Sequence, residues 1–235
     1  MIELTRRKHN GHVYLKNRND MKRSAKATDI RAQINQVTTK LGDLRKIAKD
    51  IKQDHELAME LWSTGQFLHR LLAILIMDKK LLSHELIDIL GLEIQNHEFE
   101  EKNQLIDWLM ANQLSKDKKT ITLMGSWENS PSTLQRRVFW YYQARLKWVG
   151  KTNHPNTEYL LSSIEKNMIN EEPEVQWAMN FTAGQIGKWQ ETYRTRCISI
   201  GEETGLYKDE VVSKGCTLSY LPKFIPIEVA KLVKL

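Results

Sequence analysis

A chain of 235 residues that is 41% hydrophobic carries enough apolar surface to build a substantial core, which sets aside an intrinsically disordered protein. Its apolar run LLAILIM at 71–77 is far shorter than the roughly 20 residues that cross a bilayer, and its first 20 residues lack the apolar centre of a secretory signal; no membrane partner and a cytoplasmic location are therefore expected. The net charge of +6 is uneven, with 13 Lys/Arg against 5 Asp/Glu in residues 1–50, 5 against 11 in 51–110 and 8 against 3 in 111–160, a distribution that suits a positive surface offered to a polyanion and equally suits solvated helix faces.

Residues 1–38 form a basic N-terminal segment, expected to be helical in part, and residues 39–235 a single helical domain. In LGDLRKIAKDI (41–51), Leu41, Leu44, Ile47, Ala48 and Ile51 fall on one stripe of a helix, with Thr38 or Thr39 as its N-cap. DHELAMELW (54–62) and QFLHRLLAILIM (66–77) follow, divided by Gly65 as a helix stop, and SHELIDIL (83–90) opens with a serine cap and an early glutamate. Pro131, Pro155 and Pro173 stand near the starts of later helical patterns, where a missing N–H costs least. No stretch alternates as strands do. Short helices in close succession, with no long central hydrophobic helix, predict an all-α fold of stacked helical hairpins; a helical bundle fits the same periodicity. The repeat signal is faint: Gly65 precedes Arg70 by five residues and Pro131 precedes Arg136 by five, the two pairs offset by 66.

Cys197 and Cys216 are too few for a disulfide framework, and no Cys/His spacing fits zinc, so reduced structural thiols, no metal and no cofactor are expected. Cys216 has no base nearby that would make it a nucleophile. In DWLMANQL (107–114) Trp108 and Asn112 are four residues apart, about 40° around a helix, on one face. Core packing explains that pair as readily as a site does.

Several segments together, KLGDLRKIAKDIKQDHELAMELWSTGQFLHRLLAILIMD (40–78), DWLMANQ (107–113), STLQRRVFW (132–140), EVQWAMNFTAGQIGK (174–188) and GLYKDEVVSKGCT (205–217), resemble the HEAT-like-repeat DNA alkylation repair proteins, which include alkylpurine DNA glycosylases. The resemblance implies a helical-repeat solenoid whose basic concave face holds duplex DNA. It also implies a tryptophan and an aspartate at i and i+4 in a W-D-x-x-D motif, for releasing N3- and N7-alkylated purines. Here the tryptophan is Trp108, while Leu109 and Asn112 occupy the acidic positions. An amide gives a nascent sugar cation only a dipole. Asp107 points about 140° away from Asn112, and Glu101 lies roughly 16 Å along the axis.

The resemblance places the second active-site aromatic on Phe181, with Trp177 one turn earlier, and a paired arginine on Arg136 and Arg137. Since neighbours on a helix point about 100° apart, at most one of the two arginines faces DNA centrally. Arg145, Lys147 and Lys214, the last beside Gly215, are further candidates for phosphate contact; Trp140, Tyr141, Tyr142 and Trp148 read mainly as core. Three functions follow as expectations. The first is recognition of damaged or distorted duplex DNA by a monomer; the second is alkylpurine excision using Trp108, Asn112 and Phe181; the third is a helical-repeat scaffold for other proteins.

Overall fold

The computed structural model describes residues 24–34, 37–148 and 155–232. Among them every regular element is helical: α1 (Ala25–Gln33), α2 (Leu41–Ile51), α3 (His55–Trp62), α4 (Phe67–Ile76), α5 (His84–Ile94), α6 (Phe99–Asn112), α7 (Lys118–Gly125), α8 (Thr133–Trp148), α9 (Thr157–Asn167), α10 (Pro173–Trp189), α11 (Arg194–Thr204) and α12 (Leu221–Leu232). None of these helices is long and apolar enough to cross a membrane. The chain divides into two compact units, residues 1–121 and 122–235, with the division inside α7.

In the first unit the run LLAILIM becomes α4, where Leu71, Leu72, Ala73, Ile74 and Ile76 have no exposed surface. α4 packs against α2, α3 and α6, so the most apolar segment is the unit's centre. The punctuation read from the sequence is realised in part. Gly65 takes φ +71° between α3 and α4 and Ser83 caps α5 by accepting the Leu86 N–H, while Asp54, placed by the sequence at the start of the helical stretch, instead caps α3 by accepting the Leu57 N–H. The expected threonine cap of α2 is replaced: Lys40 is the N-cap residue, and its N–H is satisfied by the Asp43 carboxylate one turn on. The α2 stripe is also shallower than expected, since Leu44 alone of its five apolar residues is fully buried and Leu41 is 36% exposed. Within the N-terminal segment, α1 is tied to α3 by Ser24 N–H to Glu60 and to the α3 cap by Lys26 to Asp54, both 2.7 Å; residues 1–23, 35 and 36 lie outside the described residues.

The second unit is built around α10, 17 residues with eleven buried, a central helix that is long but not the continuously hydrophobic one whose absence the sequence shows. Polar letters conceal it in the sequence. Thr182 is buried because its hydroxyl donates to the carbonyls of Ala178 and Trp140, and Asn180 because its amide donates to Ser219 O. α8, α9, α11 and α12 pack around this helix. Gly201 permits the closest approach of α11 to α12: a methyl there would sit 2.5 Å from Pro222 Cδ and 2.7 Å from Leu221 Cβ. Cys197 is buried and Cys216 is exposed.

Glu228 on α12 receives Lys188 from α10 at 2.8 Å, along with Thr217 and Lys231. Burial alone would raise its carboxyl pKa, but these donors win and hold it at about 2, below the ordinary 4.5. The stabilisation is therefore complete above about pH 4.5 and is lost as pH falls towards 2. Glu228→Gln is expected to cost about 2 kcal/mol near neutral pH by leaving Lys188 without its counter-charge. In denaturant titrations of both proteins the gap should close through that acid window; a gap that persists at pH 2 refutes the assignment.

Candidate nucleic-acid interface

The first unit carries Trp108 and Asn112 on α6. Both are half-buried. The indole N–H donates to Leu71 O at 3.2 Å, and the Asn112 amide donates to Trp108 O at 2.8 Å, so the pair is fixed to α4 and to its own helix. The guanidinium of Arg45, reaching from α2, stands 4.5 Å from the centre of the Trp108 ring. A face that could attract a cationic base is thus occupied by a cation of the chain itself.

Beside Asn112 opens a cavity of about 300 Å³ whose polar walls are Lys52, Lys79, Lys116, Gln53, Asn112 and Gln113. No carboxylate lines it. Gln113 is buried, its amide bonded to Ile74 O and Met77 O at the end of α4. Lys79 Nζ donates to Lys116 O at 3.0 Å, which brings those two residues together. Of the acids weighed as substitutes for the missing aspartate, Glu101 is engaged by His97 at 2.7 Å, and Asp107 does not line the cavity.

Arg45, Lys52, Lys79 and Lys116 were not among the residues singled out from sequence. Lys52 follows the last residue of α2, and Lys79 and Lys116 reach the cavity from turns 37 residues apart, so no helical spacing links the three lysines. Lys52 also has φ +63° and ψ −137°, a region that a side-chain-bearing residue occupies at a cost on the order of 1–3 kcal/mol.

In the second unit Arg136 is forked onto Glu171 at 2.9–3.2 Å and donates to Ser130 O at 2.8 Å. Arg137 is 5% exposed, donates to Glu174 O at 2.9 Å and stands 4.7 Å over the Trp177 ring. Both arginines hold α8 to the start of α10. The aromatic residues form one cluster: Trp177 and Phe181 stack at 5.2 Å and 9°, with Tyr141 and Trp148 against Phe181. Trp148, expected as core, is 46% exposed, whereas Trp140 is buried. Arg145 is half-buried beside Tyr142, whose pKa rises through burial. Lys214 is exposed next to Gly215, which has φ +90°.

Lys147 turns inward. It is 2% exposed and donates to Asn156 at 3.0 Å and to Thr157 at 2.8 Å, which takes its ammonium away from the surface where a phosphate would lie. Among the described residues no three His, Cys, Asp or Glu side chains gather as a metal site would require.

Two outcomes test this geometry. Lys52→Gly removes the side chain from a backbone that glycine adopts freely, and should raise stability by about 1 kcal/mol in denaturant titration; a loss would show that Lys52 stabilises its turn. Burial pulls the Lys147 pKa from 10.5 down to about 8, so the folded state releases its proton first and the wild type gains stability as pH rises from about 8 to 10.5. The midpoint difference from Lys147→Met should widen in the wild type's favour over that range, and a constant difference would sink the assignment.

The profile of the family described as DNA alkylation repair enzyme matches residues 12–199. None of the curated proteins matches the chain. Among solved structures, one described as "a new family of proteins related to the HEAT-like repeat DNA glycosylases with affinity for branched DNA structures" is similar at 19% identity. It covers 88% of this chain and 89% of its own, with a TM-score of 0.62. That likeness, together with the all-helical architecture, shows a HEAT-like helical-repeat fold. The family match takes in α1 as well as the central helices of both units, and by it the chain belongs to the family of DNA alkylation repair enzymes.

Proposed function

We propose that this protein binds damaged or distorted duplex DNA through phosphate contacts and does not excise bases. The observation that carries the reading is the cavity beside Asn112, lined by three lysines and no carboxylate. Excising a cationic base leaves a sugar with oxocarbenium character, which negative charge stabilises. Here the family's acidic position offers a neutral amide already bonded to Trp108 O, and the charges lining the cavity beside it are of the wrong sign. The same ammonium groups are suited to phosphate.

Arg45 over Trp108 supports the reading from a second direction, because an incoming cationic base would meet a guanidinium on the ring. The affinity for branched DNA of the similar solved protein favours recognition of DNA shape over base chemistry. In the second unit we assign phosphate contact to Arg145 and Lys214; Arg136, Arg137 and Lys147 serve as internal braces, and Trp177 with Phe181 as an aromatic support.

The test is duplex DNA containing N7-methylguanine, with protein in excess and a no-protein control for spontaneous depurination. Binding should weaken steeply with salt while free base stays at the control level. Arg145→Gln and Lys214→Gln should each flatten the slope of log affinity against log salt by about 1. Base release above the control overturns the reading in favour of an active glycosylase, and absence of duplex binding overturns it in favour of a protein-binding scaffold.

A further inference from the structure

The cavity of the first unit has a shape and charge more specific than a surface that tracks a DNA backbone. Its three lysines arrive from three places in the chain: the end of α2, the turn after α4 and the turn after α6. Beside Lys79 and Lys116, Asp78 accepts the Lys80 N–H and Asp117 that of Lys119, both at 2.9 Å. Beneath the ammonium groups lies an apolar floor of Ala48, Leu75 and Met77. Lys52 is held there on a left-handed backbone, and such strain clusters where a ligand is clamped.

A phosphodiester within a strand carries one negative charge and passes across a surface. A phosphate monoester at a strand's end carries −1.5 to −2 at neutral pH and can enter a recess. With about 300 Å³ available, the recess has room for more than the phosphate alone. We propose that this cavity receives the phosphorylated end of a DNA strand, the lysines holding the terminal phosphate and the apolar floor taking the adjoining nucleoside. The inference rests on the DNA-binding reading above and makes this protein a sensor of strand ends as well as of duplex shape.

The experiment measures fluorescence anisotropy of one duplex sequence in four forms, with 5′-phosphate ends, 3′-phosphate ends, hydroxyl ends, and closed as a dumbbell with no ends. One phosphorylated form should bind about tenfold more tightly than the hydroxyl and dumbbell forms, and which one identifies the polarity of the end. Lys52→Gln and Lys116→Gln, both at exposed positions, should lower affinity for the preferred phosphorylated form about tenfold, to the level of the hydroxyl form, a larger loss than either causes for the dumbbell. Lys52→Gly should remove the preference while the fold becomes more stable, which separates lost contact from lost structure. Equal affinity for all four forms overturns the proposal and leaves the DNA-binding reading standing. If no form binds, that reading has failed, and calorimetric titration with thymidine 5′- and 3′-monophosphate decides the cavity: uptake lost in Lys52→Gln supports it, and no uptake overturns it.

Discussion

Guanidinium over indole is the contact on which both units depend. Arg70 lies 4.9 Å over Trp62, Arg137 4.7 Å over Trp177 and Arg45 4.5 Å over Trp108. The geometry is shared, but burial separates the three. Arg70 and Arg137 are 8% and 5% exposed and each also donates to main-chain carbonyls, Arg70 to Trp62 O and Glu93 O, Arg137 to Glu174 O. Those two are structural braces whose removal would strand buried acceptors. Arg45 is exposed, where such a stack contributes about 0.5–1 kcal/mol, and a ligand can displace it.

That magnitude decides which feature weighs more against base excision in the function proposed above. A stack of Arg45's strength would weaken a competing base several-fold at most. Losing a preorganised group that stabilises transition-state charge costs about a hundred- to a thousandfold in rate. Asn112 therefore outweighs Arg45 in the argument against excision, and the surrounding lysines add to it. Restoring a carboxylate at position 112 alone would also break the bond its amide donates to Trp108 O, placing two acceptors face to face, so the present packing has adapted to the amide.

What the sequence revealed follows the range of the interactions involved. Gly65, Ser83 and Pro173 act within one turn, and their caps and stops were legible. The cap of α2 was misread because Asp43 reaches back to the Lys40 N–H, a bond that competes with the threonines just upstream. The core helix α10 was hidden because Thr182 and Asn180 look solvent-facing until their partners, Trp140 O and Ser219 O about 40 residues away, are in place. Arg136 and Arg137 could be placed on helix faces from their spacing, but Glu171 and Glu174, which engage them, lie 35 and 37 residues on. The cavity lysines come from separate turns, which no periodicity in the sequence connects.

On the function proposed above, exchanging a cation-stabilising site for an anion-binding one needs little alteration of the fold. Trp108 remains anchored to α4 through Leu71 O, and Gln113 still closes the end of that helix, so the frame around position 112 does not depend on the charge there. With a carboxylate in that place, one of the three lysine charges lining the cavity would be offset and the recess would stay net positive. With an amide there, the full charge of the three lysines is left facing the cavity, so the substitution adds one unit to the positive charge the recess offers an anion. On the reading proposed here, the loss of the acid and the strengthening of a phosphate site are one event seen from two sides.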